Sequence, residues 1–168
     1  MYIEIIIENI NRIELDDLFY NDLRLEKRLI RTSHFYDVIN KEDISIDRIS
    51  SLSEFYAIDG TGNIYIQEID LGVIIHNVMI IISFRNPYGD IVLNFEENEL
   101  LQDGKDIKLS YITIINKFVK IIKEYNIGAV ILGYEPAYDE DMKIVTMTKN
   151  KLEIIDQKFT WLAYDIIF

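Results

Sequence analysis

The chain has 168 residues, of which 49% are apolar, and it contains two prolines and seven glycines. This length suits one domain spanning residues 1–168, and the composition excludes disordered, collagen-like and low-complexity chains. Seventeen basic against 29 acidic residues give a net charge of −12. Nucleic acid and anionic membrane are therefore poor partners, because both are bound through Lys and Arg.

The acidic charge has two interpretations. Its long-range field would attract a basic protein partner, or it simply keeps a chain with 34 isoleucines in solution. The absence of cysteine excludes disulfides and thiolate metal sites and suits a reducing cytoplasm. The N-terminus lacks the pattern of a signal peptide, and the longest apolar run, 71–84, is too short to span a bilayer. We therefore expect a cytoplasmic protein.

The first forty residues predict one strand and one helical segment. The isoleucine run Tyr2–Ile7 is typical of a buried strand. Apolar residues recur with loose helical spacing from Leu15 to Asn40, and Asp16 and Asp17 would suit the N-terminus of such a helix. Residues 41–53 are polar and predict a loop or a short helix.

The middle of the chain predicts a meander of strands. Segments 53–58 and 63–69 flank an Asp-Gly turn and predict a hairpin, and 72–84 and 90–95 flank a second turn that contains Pro and Gly. Both alternating faces of the segment 73–84 are apolar. This pattern predicts a central strand that is covered on both faces, one of them by a helix.

The clearest element is an amphipathic helix over residues 109–125, whose apolar positions follow the i, i+3, i+4, i+7 rule. After it we expect strands at 129–134, 142–148 and 160–168, with a helical turn at 151–157. The predicted fold class is α+β: a mostly antiparallel sheet of about six strands, with the helix 109–125 and the N-terminal helical segment packed on it.

Motifs for catalysis or cofactor binding are missing from the sequence. His34 and His76 lie in no spaced metal-ligand set, and His76 is expected to be a hydrogen-bonded core residue. The Gly-rich turn 60–63 lacks the spacing of a phosphate-binding loop. We therefore expect no catalytic residue, no metal, no cofactor and no enzymatic activity.

Acidic clusters are the remaining candidates. They are Asp16-Asp17, Glu42-Asp43 with Asp47, Glu96-Glu97 with Glu99, and Glu135 followed by Asp139-Glu140-Asp141. Two carboxylates held in a cleft would support a carboxylate-dependent enzyme acting on a carbohydrate or another small molecule. The last cluster differs from the others because Tyr134 and Tyr138 accompany it. Tyrosine supplies large contact area at low entropic cost, and an acidic rim complements Lys and Arg on a partner.

The run Ile131-Leu132-Gly133-Tyr134-Glu135-Pro136-Ala137-Tyr138-Asp139-Glu140-Asp141 lies between the amphipathic helix and a strand. It resembles segments of small acidic immunity proteins from bacterial polymorphic toxin systems, and the similarity covers roughly residues 109–148. The resemblance implies a cytoplasmic protein without chemistry of its own, which binds and neutralises a cognate toxin, often a basic nuclease. An acidic inhibitor can fill the positive cleft of such a toxin and is steered to it by charge.

The leading hypothesis is a non-catalytic protein that neutralises a cognate toxin through an acidic, tyrosine-containing surface. The alternatives are the carboxylate-dependent enzyme and an inhibitor of a defence complex encoded by a mobile element. The candidate partner-binding residues form two groups along the chain: Tyr134, Glu135, Tyr138, Asp139, Glu140 and Asp141 first, and Glu96, Glu97 and Glu99 second.

Overall fold

The computed structural model describes residues 1–104, 106–136, 139–164 and 166, with the side chains of Gln102, Asp103 and Glu140 left aside. Within these ranges the chain forms a nine-stranded sheet in which every neighbouring pair is antiparallel. The strands are β1 Tyr2–Asn11, β2 Ile30–Asp37, β3 Glu42–Ile44, β4 Gly60–Asp70, β5 Ile74–Arg85, β6 Tyr88–Glu96, β7 Ala129–Gly133, β8 Lys143–Thr148 and β9 Lys151–Ile154. Their order across the sheet is β3, β2, β4, β5, β6, β1, β7, β8, β9.

In the described part of the chain, two α-helices and several tighter turns accompany the strands. The helices are α1 Leu52–Phe55 and α2 Ile107–Glu124. Six 3₁₀ segments cover Arg12–Glu14, Lys27–Leu29, Ile46–Arg48, Glu97–Gly104, Glu140–Met142 and Gln157–Tyr164, and a π-helical turn covers Asp17–Asp22. The predicted long helix is confirmed as α2, where the Asp106 side chain accepts the Lys108 N–H at 2.9 Å and caps the first turn.

One face of the sheet carries the main core. Strand β1 places Ile3, Ile5 and Ile7 on this face, all fully buried, and Phe118 and Ile122 of α2 belong to the same core. Because side chains alternate along a strand, Glu4 and Ile6 point to the opposite face. Ile6 and Ile131 are buried but lie outside this core cluster. We call this second side of the sheet the open face.

The predicted α+β class is confirmed in its broad form, with a large antiparallel sheet and few helices. The expected number of about six strands is wrong, because β2, β3 and β9 extend the sheet. The predicted N-terminal helical segment is also wrong: its first part is the short turn Asp17–Asp22 and its last part is β2. Tertiary pairing of β2 with β4 overrides the loose helical spacing there.

Three further predictions need correction. Residues 53–58 do not form a hairpin with 63–69, because α1 lies there and β4 pairs with β2 and β5 instead. The segment 151–157, predicted as a helical turn, instead begins with strand β9. The segment 160–168, predicted as the last strand, instead begins inside the 3₁₀ segment Gln157–Tyr164. Residues 165, 167 and 168 lie outside the described residues. Short apolar runs do not distinguish strand from helix by periodicity.

Strand β5 is central, as expected, but it is covered on one face only. Ile80 is fully buried in the core, whereas its neighbour Ile81 on the open face is 44% exposed. His76 is likewise half-exposed rather than a core residue, and its Nδ1 lies 3.8 Å from a carboxylate oxygen of Glu68 on β4. The apolar composition of β5 on both faces thus leaves hydrophobic side chains at the surface.

Candidate functional site

The two acidic clusters singled out from the sequence meet at one end of the sheet. Strand β1 pairs antiparallel with both β6 and β7, so its first residues lie beside the last residues of those strands. Tyr2 is opposite Glu96, and Glu4 is opposite Gly133. We call this region the acidic end and define it by its described members Glu96, Glu97, Tyr134, Glu135, Asp139 and Asp141.

A hydrogen-bonded group of phenols and one carboxylate connects the clusters. The Tyr134 hydroxyl donates to Glu97 Oε1 at 2.5 Å, and the Tyr111 hydroxyl of α2 donates to the same oxygen at 3.3 Å. Burial and the hydrogen bond to Glu97 raise the pKa of Tyr134 to about 12. Burial also raises the pKa of Tyr111, to a value above that of Tyr134. Both phenols therefore stay protonated donors at neutral pH and hold the chain after β7 against the segment Glu97–Gly104.

Tyr2 stands between two concave regions. Its hydroxyl donates to Glu96 at 3.4 Å, and its ring lines both regions. The first, the end cavity, has a volume of about 450 Å³. The residues that line it are Met1, Tyr2, Tyr134, Glu135, Asp141, Met142, Asp156 and Lys158. Three of its side chains carry carboxylates and one carries an ammonium group, so the cavity favours cationic groups.

The exposed carboxylates of the acidic end lie on a tightly turned segment. Glu135 is exposed and has a φ of 52°, a left-handed conformation that non-glycine residues rarely adopt. The Asp139 side chain accepts the Asp141 N–H at 2.9 Å, which organises the turn leading to β8. Tyr138 lies outside the described residues, as does the side chain of Glu140.

The second concave region is a groove of about 640 Å³ on the open face, which we call the open-face groove. It is lined by Tyr2, Tyr65, Asn77, Met79, Ile81, Asn94, Glu96 and Glu99. Glu99 is only 7% exposed, so it belongs to this groove rather than to the exposed rim. Glu96 and Tyr2 join the groove to the acidic end.

Sequence reasoning missed the contributions of Tyr2, Glu4, Asp156 and Lys158 to this region. Glu4 could have been recognised as a candidate from the sequence, because it is the one charged residue in the otherwise apolar run Ile3–Ile7. Asp156 and Lys158 follow β9, whose existence the pattern did not predict. Their place in the end cavity with Tyr134 depends on the pairing of β9 with β8 and of β8 with β7.

The side chains of the acidic end can form ion pairs and hydrogen bonds with a partner, but they are not arranged as a metal site. Among the described residues, no three His, Asp or Glu side chains are grouped so that they could hold a metal ion. No helix in the described part of the chain is long and apolar enough to cross a membrane.

Comparisons with known proteins give two matches. Residues 1–150 match the model of the family described as PABL017 Cdi1I immunity protein. A chain of the 1.75 Å crystal structure of the toxic C-terminal tip of CdiA from Pseudomonas aeruginosa in complex with immune protein has the same fold, with a TM-score of 0.66 and 16% identity. The match covers 90% of this chain and 96% of that chain. No curated protein matches.

Proposed function

This chain belongs to the PABL017 Cdi1I immunity protein family and is a non-catalytic, toxin-neutralising protein, and from that premise we propose that it binds its toxin through the acidic end. The observation that carries the proposal is the Tyr134–Glu97 hydrogen bond, which joins two clusters that are 37 positions apart in the sequence. A family defined by toxin neutralisation needs a partner-binding surface, and this is where exposed carboxylates and tyrosines converge.

The partner we propose is the C-terminal toxin domain of a CdiA-type protein, with a basic surface such as a nuclease uses to hold nucleic acid. Support comes from the charge of −12, from the exposed Glu135 and Asp141 in the end cavity, and from the exposed Glu96 in the adjoining open-face groove. Opposite charge accelerates association and selects the correct partner. We place the encounter in the cytoplasm, where an internalised nuclease finds its substrate.

The test is binding of the cognate CdiA-type toxin domain. The two proteins are co-produced, and the toxin domain is then separated by denaturation and refolded. We compare the wild type with Glu96→Lys, Glu135→Lys and Asp141→Lys combined. Since three attractive charges become repulsive, we expect an association rate at least 100-fold slower at low salt and a weaker salt dependence.

A matched control reverses three exposed carboxylates elsewhere: Asp43 on β3, Glu54 in α1 and Glu124 at the end of α2. The control variant makes the same change in net charge. Comparing the two variants therefore distinguishes the effect of direct contacts at the acidic end from the effect of the protein's overall charge. Similar losses in both triple variants would show that the acidic end is not the binding surface. Wild-type protein that neither binds the toxin domain nor protects cells expressing it would refute the proposed function itself.

A further inference from the structure

An apolar stripe crosses the open face from β5 to β7. Register pairs Ile81 of β5 with Val92 of β6, Val92 with Ile6 of β1, and Ile6 with Ile131 of β7. Ile81 is 44% exposed, while Ile6 and Ile131 at the middle of the sheet are 7% and 6% exposed. The exposed end of this stripe, at Ile81, gives the open-face groove an apolar wall, and exposed apolar surface with a polar rim is characteristic of protein-binding sites.

Directly beside the stripe runs a second row of residues with a different character. Met79 of β5 pairs with Asn94 of β6, and Asn94 pairs with Glu4 of β1. All three side chains lie on the open face, and Met79 and Asn94 line the open-face groove. The row therefore places the Glu4 carboxylate directly beside Asn94 of the groove lining.

Glu4 is in an unusual position for a carboxylate. It is 8% exposed, and its Oε1 accepts a hydrogen bond from the neutral Asn94 amide at 3.1 Å. Its Oε2 is fully buried and has no hydrogen-bond partner among the described residues. Carboxylates are almost never buried without a partner, because an unpaired buried charge loses its hydration without compensation.

We propose that Glu4 and Asn94 form a seat for an arginine side chain of the bound toxin, an inference that rests on the proposed function and extends it from the acidic end onto the open face. Because Oε2 has no exposed surface in the free protein, the side chains over it must shift as the toxin binds; the guanidinium then supplies the counter-charge and the donor that Oε2 lacks. Since Asn94 uses its NH₂ group towards Glu4, its Oδ1 remains an acceptor for a second N–H. Arginine fits better than lysine because its planar fork serves two acceptors and is more easily desolvated.

The groove around this seat has the composition that an arginine side chain requires. Met79 and Ile81 provide apolar surface for its methylene groups, and Glu96 and Glu99 add negative charge along the groove. Arg31, stacked 5.4 Å from the ring centroid of Tyr65, supplies positive charge at the opposite end. The incoming arginine is therefore directed to the Glu4 end rather than the Tyr65 end.

The first test is the affinity of Glu4→Gln for the cognate toxin domain. This substitution keeps the shape and removes the charge, so folding should be retained. We expect at least a tenfold loss of affinity, expressed in the dissociation rate, since truncation of a buried charge pair acts there. Glu124→Gln on the other side of the molecule is the matched control and should change affinity less than twofold. Met79→Lys, which supplies a competing cation from within the groove, should weaken binding similarly.

A second measurement locates the seat without the toxin. The probes are acetyl-Gly-Arg-Gly-amide and the same peptide with citrulline, which has the same shape and no charge. Methyl NMR signals of Met79 and Ile81 should shift with the arginine peptide, shift much less with the citrulline peptide, and respond to neither in Glu4→Gln.

The outcomes separate the two proposals. Wild-type affinity in both Glu4→Gln and Met79→Lys, or equal shifts with both peptides, would overturn the arginine seat while leaving the acidic end intact. If the wild type fails to bind the toxin domain at all, the proposed function fails, and the peptide experiment alone decides whether the seat binds arginine.

Discussion

Removal of the Asp16 carboxylate should destabilise the protein through a helix that lies far away in the sequence. Asp16 Oδ2 accepts the Ser51 hydroxyl at 2.7 Å, its Oδ1 accepts the Leu52 N–H at 2.8 Å, and its Oδ2 also accepts the Ser53 N–H at 3.2 Å. Ser51 is the N-cap of α1, and Asp16, a residue distant in the sequence, holds both this cap and the first N–H groups of the helix. Leu52 and Tyr56, which the first turn of α1 positions, are fully buried.

The magnitude follows from these contacts. Each hydrogen bond to a charged group contributes about 1.5–3 kcal/mol when fully buried, and loss of a helix cap costs about 0.5–2 kcal/mol. Asp16 is half-buried, so water replaces part of the loss. We expect Asp16→Ala to lower the free energy of unfolding by about 2–3 kcal/mol and Asp16→Asn, which keeps one acceptor, by about 1–2 kcal/mol.

The pH dependence identifies the charge as the cause. Burial alone would raise the pKa of Asp16, but the hydrogen bonds from Ser51, Leu52 and Ser53 outweigh it and hold the pKa below 3.8. A carboxyl whose pKa is lower in the folded state adds stability above its unfolded pKa, and that stability is lost as pH falls through the folded value. The difference between wild type and Asp16→Asn should be largest at pH 7 and shrink below about pH 4.

The assay is urea unfolding followed by circular dichroism at pH 7, 5 and 3. Asp43→Asn, an exposed aspartate on β3, is the control and should change stability by less than about 0.5 kcal/mol. A difference between wild type and Asp16→Asn that stays constant from pH 7 to pH 3 would refute the role of the ionised carboxylate. An unchanged stability of Asp16→Ala would refute the capping contacts.

Three other predictions concern the core and the phenols. Tyr56→Phe removes a buried hydroxyl that has no hydrogen-bond partner among the described residues. The free energy of unfolding should therefore stay equal or rise by up to about 1 kcal/mol. A clear decrease in the free energy of unfolding in a urea titration would reveal a partner. Gly62→Ala places a Cβ 2.5 Å from the Phe35 ring and 2.6 Å from the Tyr56 hydroxyl, so it should cost about 1–3 kcal/mol in thermal unfolding. Burial and the hydrogen bond to Glu97 raise the pKa of Tyr134 to about 12. In a titration of tyrosine ionisation by absorbance at 295 nm, the wild type and Tyr134→Phe should therefore differ only above about pH 11. A difference at pH 10 would contradict this contact.

Elements with a strong local pattern can be predicted from the amino-acid sequence alone. The helical period around Phe118 and Ile122 predicts α2, the isoleucine run predicts β1, and the Pro and Gly turn predicts the hairpin of β5 and β6. The two acidic groups and Tyr134 were also recognisable as candidates, since their residue types cluster within a few positions. Each of these features depends on neighbours in the chain.

The contacts that these residues make depend on long-range pairing between strands. Asp16, expected to favour its own helix, caps α1 at residues 35–37 positions away. Glu97 and Tyr134 meet because β1 lies between β6 and β7, an order that periodicity does not encode. Glu4 is placed on the open face by the alternation of β1, but only the pairing with β6 places it beside Asn94. Register between distant strands is set by the packing of the whole sheet, so both the acidic end and the proposed arginine seat exist only in the folded chain.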